Sequence, residues 1–135
     1  MEPIERARAY FSKDHFATEV VGIKIDAVEK GYARCSLQIT SSHLNAAGSV
    51  MGGVLFTVAD FTFAVAANFD QPLTVTISSN ISFLEPPHGK TLLSEASCIR
   101  QGGHTCYYQV CIMDETATIV AVIGITGFIK KDSPT

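Results

Sequence analysis

The chain has 135 residues, of which 47% are hydrophobic and 17% charged, with a formal net charge of -3. This length predicts one domain, residues 1–135, with a sizeable core, and the low charge content indicates apolar surface buried between subunits. The slightly acidic balance argues against a nucleic-acid partner, and the longest apolar run, 119–125, is too short for a membrane-spanning helix.

Hydrophobic periodicity predicts two helices and six strands. The predicted helices cover residues 4–18 and 53–68, and two strands and a polar loop separate them. The six predicted strands, in chain order, are 22–28, 32–40, 75–83, 92–100, 107–113 and 118–129. Because tight turns join most successive strands, we expect them to form an antiparallel sheet.

The second predicted helix decides the fold class. Residues 53–68 are apolar on nearly every face, and a helix of this kind is normally buried. A sheet buries its apolar face against another element, and this helix is the only element apolar enough. We therefore predict an α+β fold in which a strongly curved antiparallel sheet wraps around one long central helix.

One acid, Asp60, lies in the middle of this apolar helix. Burying an unpaired carboxylate is costly, so an acid here is either satisfied by donors such as Thr57 or used in chemistry. The glycine-rich stretch 45–53 leads into the same helix. Together these features predict an active site built around one helix.

The four cysteines show no C-x-x-C pair and no matched histidine spacing. Their strand-like surroundings predict small buried side chains in a reducing compartment, rather than a metal site or a disulfide framework. The first residues lack the basic-then-apolar pattern of a signal peptide, so we expect a cytoplasmic protein.

The glycine-rich stretch and the helix share a spaced motif: Asn45, the pair Gly52-Gly53, and Asp60, seven and then eight residues apart. This pattern resembles the signature of the PaaI-like and Them2-like hotdog acyl-CoA thioesterases. Two later segments resemble the strand and the turn that follow in that family, 75–86 and 100–105. The resemblance covers nearly the whole chain and implies the hotdog fold.

The resemblance also implies a mechanism. In this family the amide of the first glycine, here Gly52, polarises the thioester carbonyl, and the matching acid, here Asp60, activates water or attacks directly. Unpaired N–H groups at a helix start suit a developing oxyanion. Eight helical residues span about 12 Å, so one carbonyl cannot reach both groups on the same helix. We therefore expect a composite site in a homodimer, or in a homotetramer made of two dimers.

Further roles carry over from the resemblance. Asn45 matches an asparagine that holds the thioester and the water as both donor and acceptor, Gly53 matches the second glycine, and Thr76 matches a hydroxyl beside the acid. Met51 stands where many relatives have histidine, and Glu85 where they often have a basic residue. These departures bear on rate, substrate range and coenzyme A contacts more than on the reaction class.

An apolar groove near Met51, Phe56 and Phe61 is expected to take a medium-chain or aromatic acyl group. Arg100 and His104 lie near turns, where they are candidates for contacts with coenzyme A phosphates, although isolated surface cations usually meet only water. The residues predicted to bind substrate are thus Met51, Gly53, Phe61, Arg100 and His104.

Three functional hypotheses follow. The first is an enzyme that hydrolyses an acyl-CoA or aryl-CoA thioester to the free acid and coenzyme A without a metal or other cofactor, with Asp60 as general base or nucleophile. The second, favoured by the histidine missing at Met51, is a non-catalytic protein that binds acyl-CoA. The third, a dehydratase for hydroxyacyl thioesters, is less favoured because none of the four histidines lies in the helix.

Overall fold

A long helix packed against an antiparallel sheet organises the molecule. The computed structural model describes residues 1–130. In chain order the elements are α1 (Pro3–Phe11), a π-helix (Phe16–Val21), β1 (Lys24–Glu29), β2 (Tyr32–Gln38), a short 3-10 helix (Ser41–His43), α2 (Gly52–Asn68), β3 (Thr74–Phe83), β4 (Thr91–Gln101), β5 (Thr105–Asp114) and β6 (Ile119–Ile129). The predicted α+β class, with its antiparallel sheet and long helix, is confirmed.

The sheet has six strands in the order β1-β2-β4-β5-β6-β3, and all neighbours are antiparallel. Along β5 every second side chain, including Tyr108, Val110 and Ile112, is buried. Because side chains of a strand alternate between its two faces, one face of the sheet covers α2 and the other faces outward. Among the described residues, β3 pairs only with β6 and is therefore an edge strand of this sheet.

α2 is held on several sides by the sheet. The side chains of Val58, Phe63 and Val65 are at most 1% exposed. The Phe63 ring meets the Tyr108 ring of β5 edge-on, with centroids 5.1 Å apart. Gly127 of β6 lies so close to the helix that an added Cβ would be 3.0 Å from the Phe63 ring. This close packing holds α2 in a fixed position against the sheet.

The N-terminal helix is shorter than predicted. α1 ends at Phe11, and a π-helix begins only at Phe16, so the prediction of one helix over 4–18 is wrong in its second half. The buried residues on this segment are Ala7 and Phe11, then Ala17 and Val21. At 100° per residue these four positions would lie within about 120° on one face of a continuous helix, so their spacing is compatible with the predicted helix and does not reveal the break.

Asn68 joins the end of α2 to the start of β3. Its Nδ2 donates to the Thr74 carbonyl (3.2 Å), and its Oδ1 accepts the Thr74 N–H (2.8 Å). β3 then runs back along the helix, because its last residue, Phe83, packs against Gly52 at the helix start. This course brings Thr76 beside the middle of α2.

Candidate active site

The start of α2 presents backbone N–H groups that have no partner among residues 1–130. Met51 precedes the helix in an extended conformation (φ -61°, ψ 139°), and its carbonyl accepts the N–H of Leu55. Within residues 1–130, the N–H groups of Gly52 and Gly53 have no acceptor, and the first turn carries no acidic side chain. The partial positive charge of this helix end is therefore free to bind a carbonyl oxygen or an oxyanion.

A buried histidine holds the approach to this helix end. The side chain of His43 accepts the Thr40 N–H at Nδ1 (3.0 Å) and donates from Nε2 to the Val21 carbonyl (2.8 Å). Its carbonyl accepts the Met51 N–H at 2.9 Å. His43 therefore acts as a structural anchor that keeps Met51 in the conformation from which the helix starts.

Asn45 stabilises the loop before the helix. Its side-chain oxygen accepts the N–H groups of Ala47 (2.9 Å) and Ser49 (3.1 Å), while Gly48 turns the chain at a φ of +85°. A carbonyl oxygen has two lone pairs, and both are engaged here. The loop therefore already uses the acceptor that the predicted role of Asn45 would employ, and that role stays a prediction. The side-chain NH₂ group remains as a donor.

Gly52 opens onto a cavity of about 280 Å³ with mostly apolar walls. Phe83 covers the Gly52 Cα, since a Cβ built there would lie 3.1 Å from the ring Cζ. Residues 84–87, which connect β3 to β4, form the opposite wall. Glu85 is the one charged residue in the lining. Sequence reasoning missed this wall because it is distant along the chain from the motif.

Asp60 is partly buried, and Thr76 is beside it. The Thr76 hydroxyl donates to Asp60 Oδ1 across 3.4 Å. Burial raises the pKa of the Asp60 carboxyl, the Thr76 hydrogen bond lowers it, and the nearby Asp14 carboxylate raises it, with a net upward shift from 3.8. The structure therefore brings together the acid and the hydroxyl that the sequence analysis paired.

A second cavity, of about 340 Å³, opens at Asp60. The N-terminal segment forms one wall of it, with Asp14, His15 and Phe16 facing α2. Phe16 is 61% exposed, and His15 pairs with Glu19 at 2.6 Å. These residues were not predicted for the site, because only the break between α1 and the π-helix turns them toward Asp60.

The two candidate groups do not meet within one chain. Gly52 and Asp60 line different cavities, and eight residues of helix separate them by about 12 Å. The two cavities also differ in character, since apolar side chains dominate the first and two carboxylates line the second. A single substrate carbonyl cannot contact both groups of one protomer.

The residues predicted for an acyl groove do not line the same cavity. Phe61 is 3% exposed, meets Phe11 edge-on with ring centroids 6.3 Å apart, and lines only the Asp60 cavity. Met51 is 48% exposed and, like Phe56, lines neither cavity. These three residues do not share either of the two cavities described above, and the predicted groove near Met51, Phe56 and Phe61 stays a prediction.

Arg100 and His104 lie at the opposite end of the sheet from Gly52. The His104 carbonyl accepts the N–H of Ile129, where β6 ends, whereas Phe83 beside Gly52 pairs with Ala121, near the start of β6. Eight residues of strand correspond to roughly 27 Å. Within one chain Arg100 and His104 are remote from the helix start, and their predicted contact with coenzyme A stays a prediction.

Residues 1–130 contain no cluster of three or more His, Cys, Asp or Glu side chains placed to hold a metal ion. The part of the chain that the structure describes also has no helix with both the length and the apolar character that crossing a membrane requires.

Comparison with known proteins identifies the family. Residues 47–121 match the thioesterase superfamily. The chain is 33% identical over 119 residues to the acyl-coenzyme A thioesterase PaaI of Escherichia coli (strain K12), which covers 87% of this chain and 84% of that protein. The chain belongs to the thioesterase superfamily. The predicted resemblance to PaaI-like hotdog thioesterases is therefore confirmed.

Solved structures of thioesterases support the same assignment. The E. coli PaaI protein of the phenylacetic acid degradation operon matches with a TM-score of 0.87 at 26% identity, covering 95% of this chain and 94% of that chain. A hypothetical thioesterase of Streptococcus pneumoniae TIGR4, solved with coenzyme A, matches with a TM-score of 0.81 at 26% identity, covering 89% and 96%. The hotdog fold thus extends over nearly all of this thioesterase chain.

Replacing Thr76 by valine tests the electrostatics of this thioesterase site. The substitution removes the donor that lowers the pKa of Asp60, so we expect that pKa to rise. Carbon-detected NMR titration of the aspartate carboxyls measures it. Thr57→Val is the matched control, because the Thr57 hydroxyl donates to the Gly53 carbonyl instead (2.8 Å). An unchanged Asp60 pKa in Thr76→Val would contradict the contact.

The two glycines at the start of α2 differ in the space around them. An added Cβ meets the Phe83 ring at Gly52 but meets nothing within 4 Å at Gly53. We expect Gly53→Ala to raise the free energy of unfolding by up to about 1 kcal/mol through helix propensity. Gly52→Ala should be less favourable, because it displaces Phe83. Urea denaturation measures both, and equal effects would contradict the packing of Phe83 on Gly52.

Proposed function

We propose that the protein hydrolyses an acyl-CoA or aryl-CoA thioester to the free acid and coenzyme A. The observation that carries this proposal concerns two groups on α2. The N–H group of Gly52 has no acceptor within the described residues 1–130, and Asp60 carries a partly buried carboxyl with a raised pKa. The first suits an oxyanion and the second suits a base. The relatives support the substrate class, since PaaI is an acyl-coenzyme A thioesterase and the S. pneumoniae protein was solved with coenzyme A.

The proposed reaction begins with Asp60 as the general base. Asp60 takes a proton from water as the water oxygen attacks the thioester carbonyl carbon. The carbonyl oxygen becomes negative and accepts the Gly52 N–H. When the C=O bond reforms, the C–S bond breaks, and the sulfur leaves with the electron pair and takes the proton from Asp60. If Asp60 instead attacks the carbonyl carbon directly, the C–S bond breaks, the coenzyme A thiolate leaves and an acyl anhydride forms. Water then cleaves the anhydride to the free acid, restores the Asp60 carboxylate and supplies the proton that the thiolate takes up.

Thr76 and Asn45 assist in this proposal. The Thr76 hydroxyl lies 3.4 Å from Asp60 Oδ1, where it orients the carboxylate and the water beside it. Asn45 contributes its side-chain NH₂ group as a donor, since its oxygen is engaged by the loop. Both residues position other groups, because neither side chain has a basic atom that could accept the proton from water.

We further propose that two chains complete each site. Because Gly52 and Asp60 of one chain are too far apart, a two-fold dimer with antiparallel α2 helices would bring Gly52 of one chain near Asp60 of the other, twice. The edge strand β3 supports a second copy, since its ten residues contain no charge and no proline, which usually protect such edges. Ile77 and Phe83 on this strand are 58% and 55% exposed.

The cavity at Gly52 favours an uncharged part of the substrate. Its walls around Phe83 and Val120 are apolar, and the one charge in its lining, on Glu85, repels phosphate. We therefore assign it to the apolar portion of the substrate next to the thioester carbonyl.

Asp60→Asn tests the base. The substitution keeps the shape of the side chain and removes its ability to accept a proton, so we expect turnover to fall by roughly 10²–10⁴-fold. Thiol release from a panel of short, long and aromatic acyl-CoAs measures this. Asp26→Asn, at an exposed position on β1, is the matched control and should retain full turnover. Turnover of Asp60→Asn within a few-fold of wild type would contradict the base role.

Complementation between two inactive chains tests the composite site. Gly52→Pro deletes the N–H at the first helical position, where proline is tolerated, and the extended Met51 suits a residue before proline. Its ring also displaces Phe83, as alanine does, but only in the chain whose N–H is already deleted. A heterodimer of Gly52→Pro and Asp60→Asn chains has one intact site if the two groups come from different chains. Random pairing should then restore about a quarter of wild-type turnover. No restoration in mixtures refolded together would contradict the shared site.

A further inference from the structure

A buried carboxylate joins two loops near the Gly52 cavity. Asp114 is the last residue of β5 and is 1% exposed. Its Oδ2 accepts the N–H groups of His88 (2.7 Å) and Gly89 (2.8 Å). Its Oδ1 accepts the N–H of Thr116 (2.9 Å), the hydroxyl of Thr116 (2.7 Å) and the N–H of Thr118 (3.1 Å). Each oxygen therefore serves a different loop.

These bonds keep Asp114 ionised. Burial alone would raise the pKa of its carboxyl, but the bonds from Thr116 and from the backbone N–H groups of Gly89, His88 and Thr118 together hold it well below its ordinary range. An ionised carboxylate accepts at both oxygens without a donor of its own, whereas protonation turns one oxygen into a donor and amidation replaces one acceptor by an NH₂ group.

Glu115 extends the same arrangement. Its side chain accepts the N–H groups of Lys90 (2.8 Å) and Thr91 (3.0 Å). Asp114 and Glu115 together, here called the carboxylate clamp, thus accept four consecutive backbone N–H groups, those of residues 88–91. The clamp fixes the end of the connection between β3 and β4 by charge-assisted hydrogen bonds.

That connection is the wall of the Gly52 cavity. Its beginning is held by the N–H of Leu84, which donates to the Val120 carbonyl at 2.9 Å. Its middle, Pro86-Pro87, has no backbone N–H groups, so these two residues cannot be held in place by donating backbone hydrogen bonds. The position of the two prolines, which line the cavity, therefore depends on the anchors at either end.

We infer that Asp114, assisted by Glu115, is a positioning residue for substrate binding, because it holds the Pro86-Pro87 wall of the Gly52 cavity in place. Asp114 itself does not touch the substrate. The inference rests on the proposed function for the identity of the ligand, but it concerns binding rather than the chemical step. The inference gives Asp114 and Glu115, which lie where β5 turns into β6, a role in substrate binding.

Asp114→Asn is the direct test. One oxygen becomes an NH₂ group that faces backbone N–H groups, so one of the two loops loses its acceptor. We expect KM for an acyl-CoA substrate to rise about tenfold or more, while kcat stays within about threefold, because the Gly52 N–H and Asp60 are untouched. Asp70→Asn is the matched control: it breaks an ion pair with Arg6 at the far end of α2, and asparagine tolerates the φ of +52° there.

Glu115→Ala covers the case in which Asp114→Asn does not fold. Glu115 is exposed, so its removal releases only the N–H groups of residues 90 and 91, and we expect a smaller rise in KM with the same unchanged kcat. Melting temperatures are recorded for all three variants. A KM in both clamp variants equal to that of Asp70→Asn, or a fall in kcat alone, would overturn the inference.

A binding measurement separates this inference from the proposed hydrolysis. Calorimetry with a thioether analogue of acyl-CoA, which cannot be hydrolysed, reports affinity without turnover. If the wild-type protein binds the analogue but releases no thiol from any acyl-CoA substrate, the proposed hydrolysis fails. Weaker binding of the analogue by the clamp variants would still support the role of the clamp in holding the cavity wall. If the clamp variants bind the analogue as tightly as wild type, the inference fails whatever the turnover.

Discussion

The rigidity of α2 is the constraint on which the rest of the site depends. The helix is packed on several sides by the sheet, so the N–H groups at its start and the carboxylate of Asp60 are held at a fixed separation of about 12 Å. This separation is too large for one reacting carbonyl, and no side-chain movement can close it. The helix therefore keeps apart two groups that look continuous in the sequence motif, and this separation is the reason for proposing that two chains complete each site.

Two carboxylates on the chain illustrate opposite uses of burial. Folding raises the pKa of Asp60, so its contribution to stability is greatest at low pH and falls as the pH rises through its folded pKa. Folding lowers the pKa of Asp114, so its contribution is present above its ordinary pKa of 3.8 and is lost as the pH falls below it. Asp60 is left under-satisfied beside a cavity, which suits a base, whereas the fully bonded Asp114 suits a structural anchor.

The part of the candidate site that could be predicted from the sequence consists of residues that lie close together along the chain. Residues close in the chain, such as Gly52 and Asp60 on one helix, keep their spacing in any fold that contains that helix. Thr76 was predictable only through the family motif, since its contact with Asp60 needs β3 to return along α2. The position of Phe16 at the Asp60 cavity was not predictable, because it follows from a break in the N-terminal helix that the apolar pattern concealed.

The sequence by itself determined the α+β class, the apolar character of α2 and the motif of Asn45, Gly52 and Asp60, because periodicity and local spacing are properties of neighbouring residues. Tertiary structure alone decided which walls surround Gly52, that the Asn45 oxygen is already engaged, and that the clamp holds residues 88–91. Those facts depend on loops that meet only when distant strands pair. No local sequence pattern shows that two loops are in contact, because the sequence of each loop would be the same if the other loop lay elsewhere in the fold.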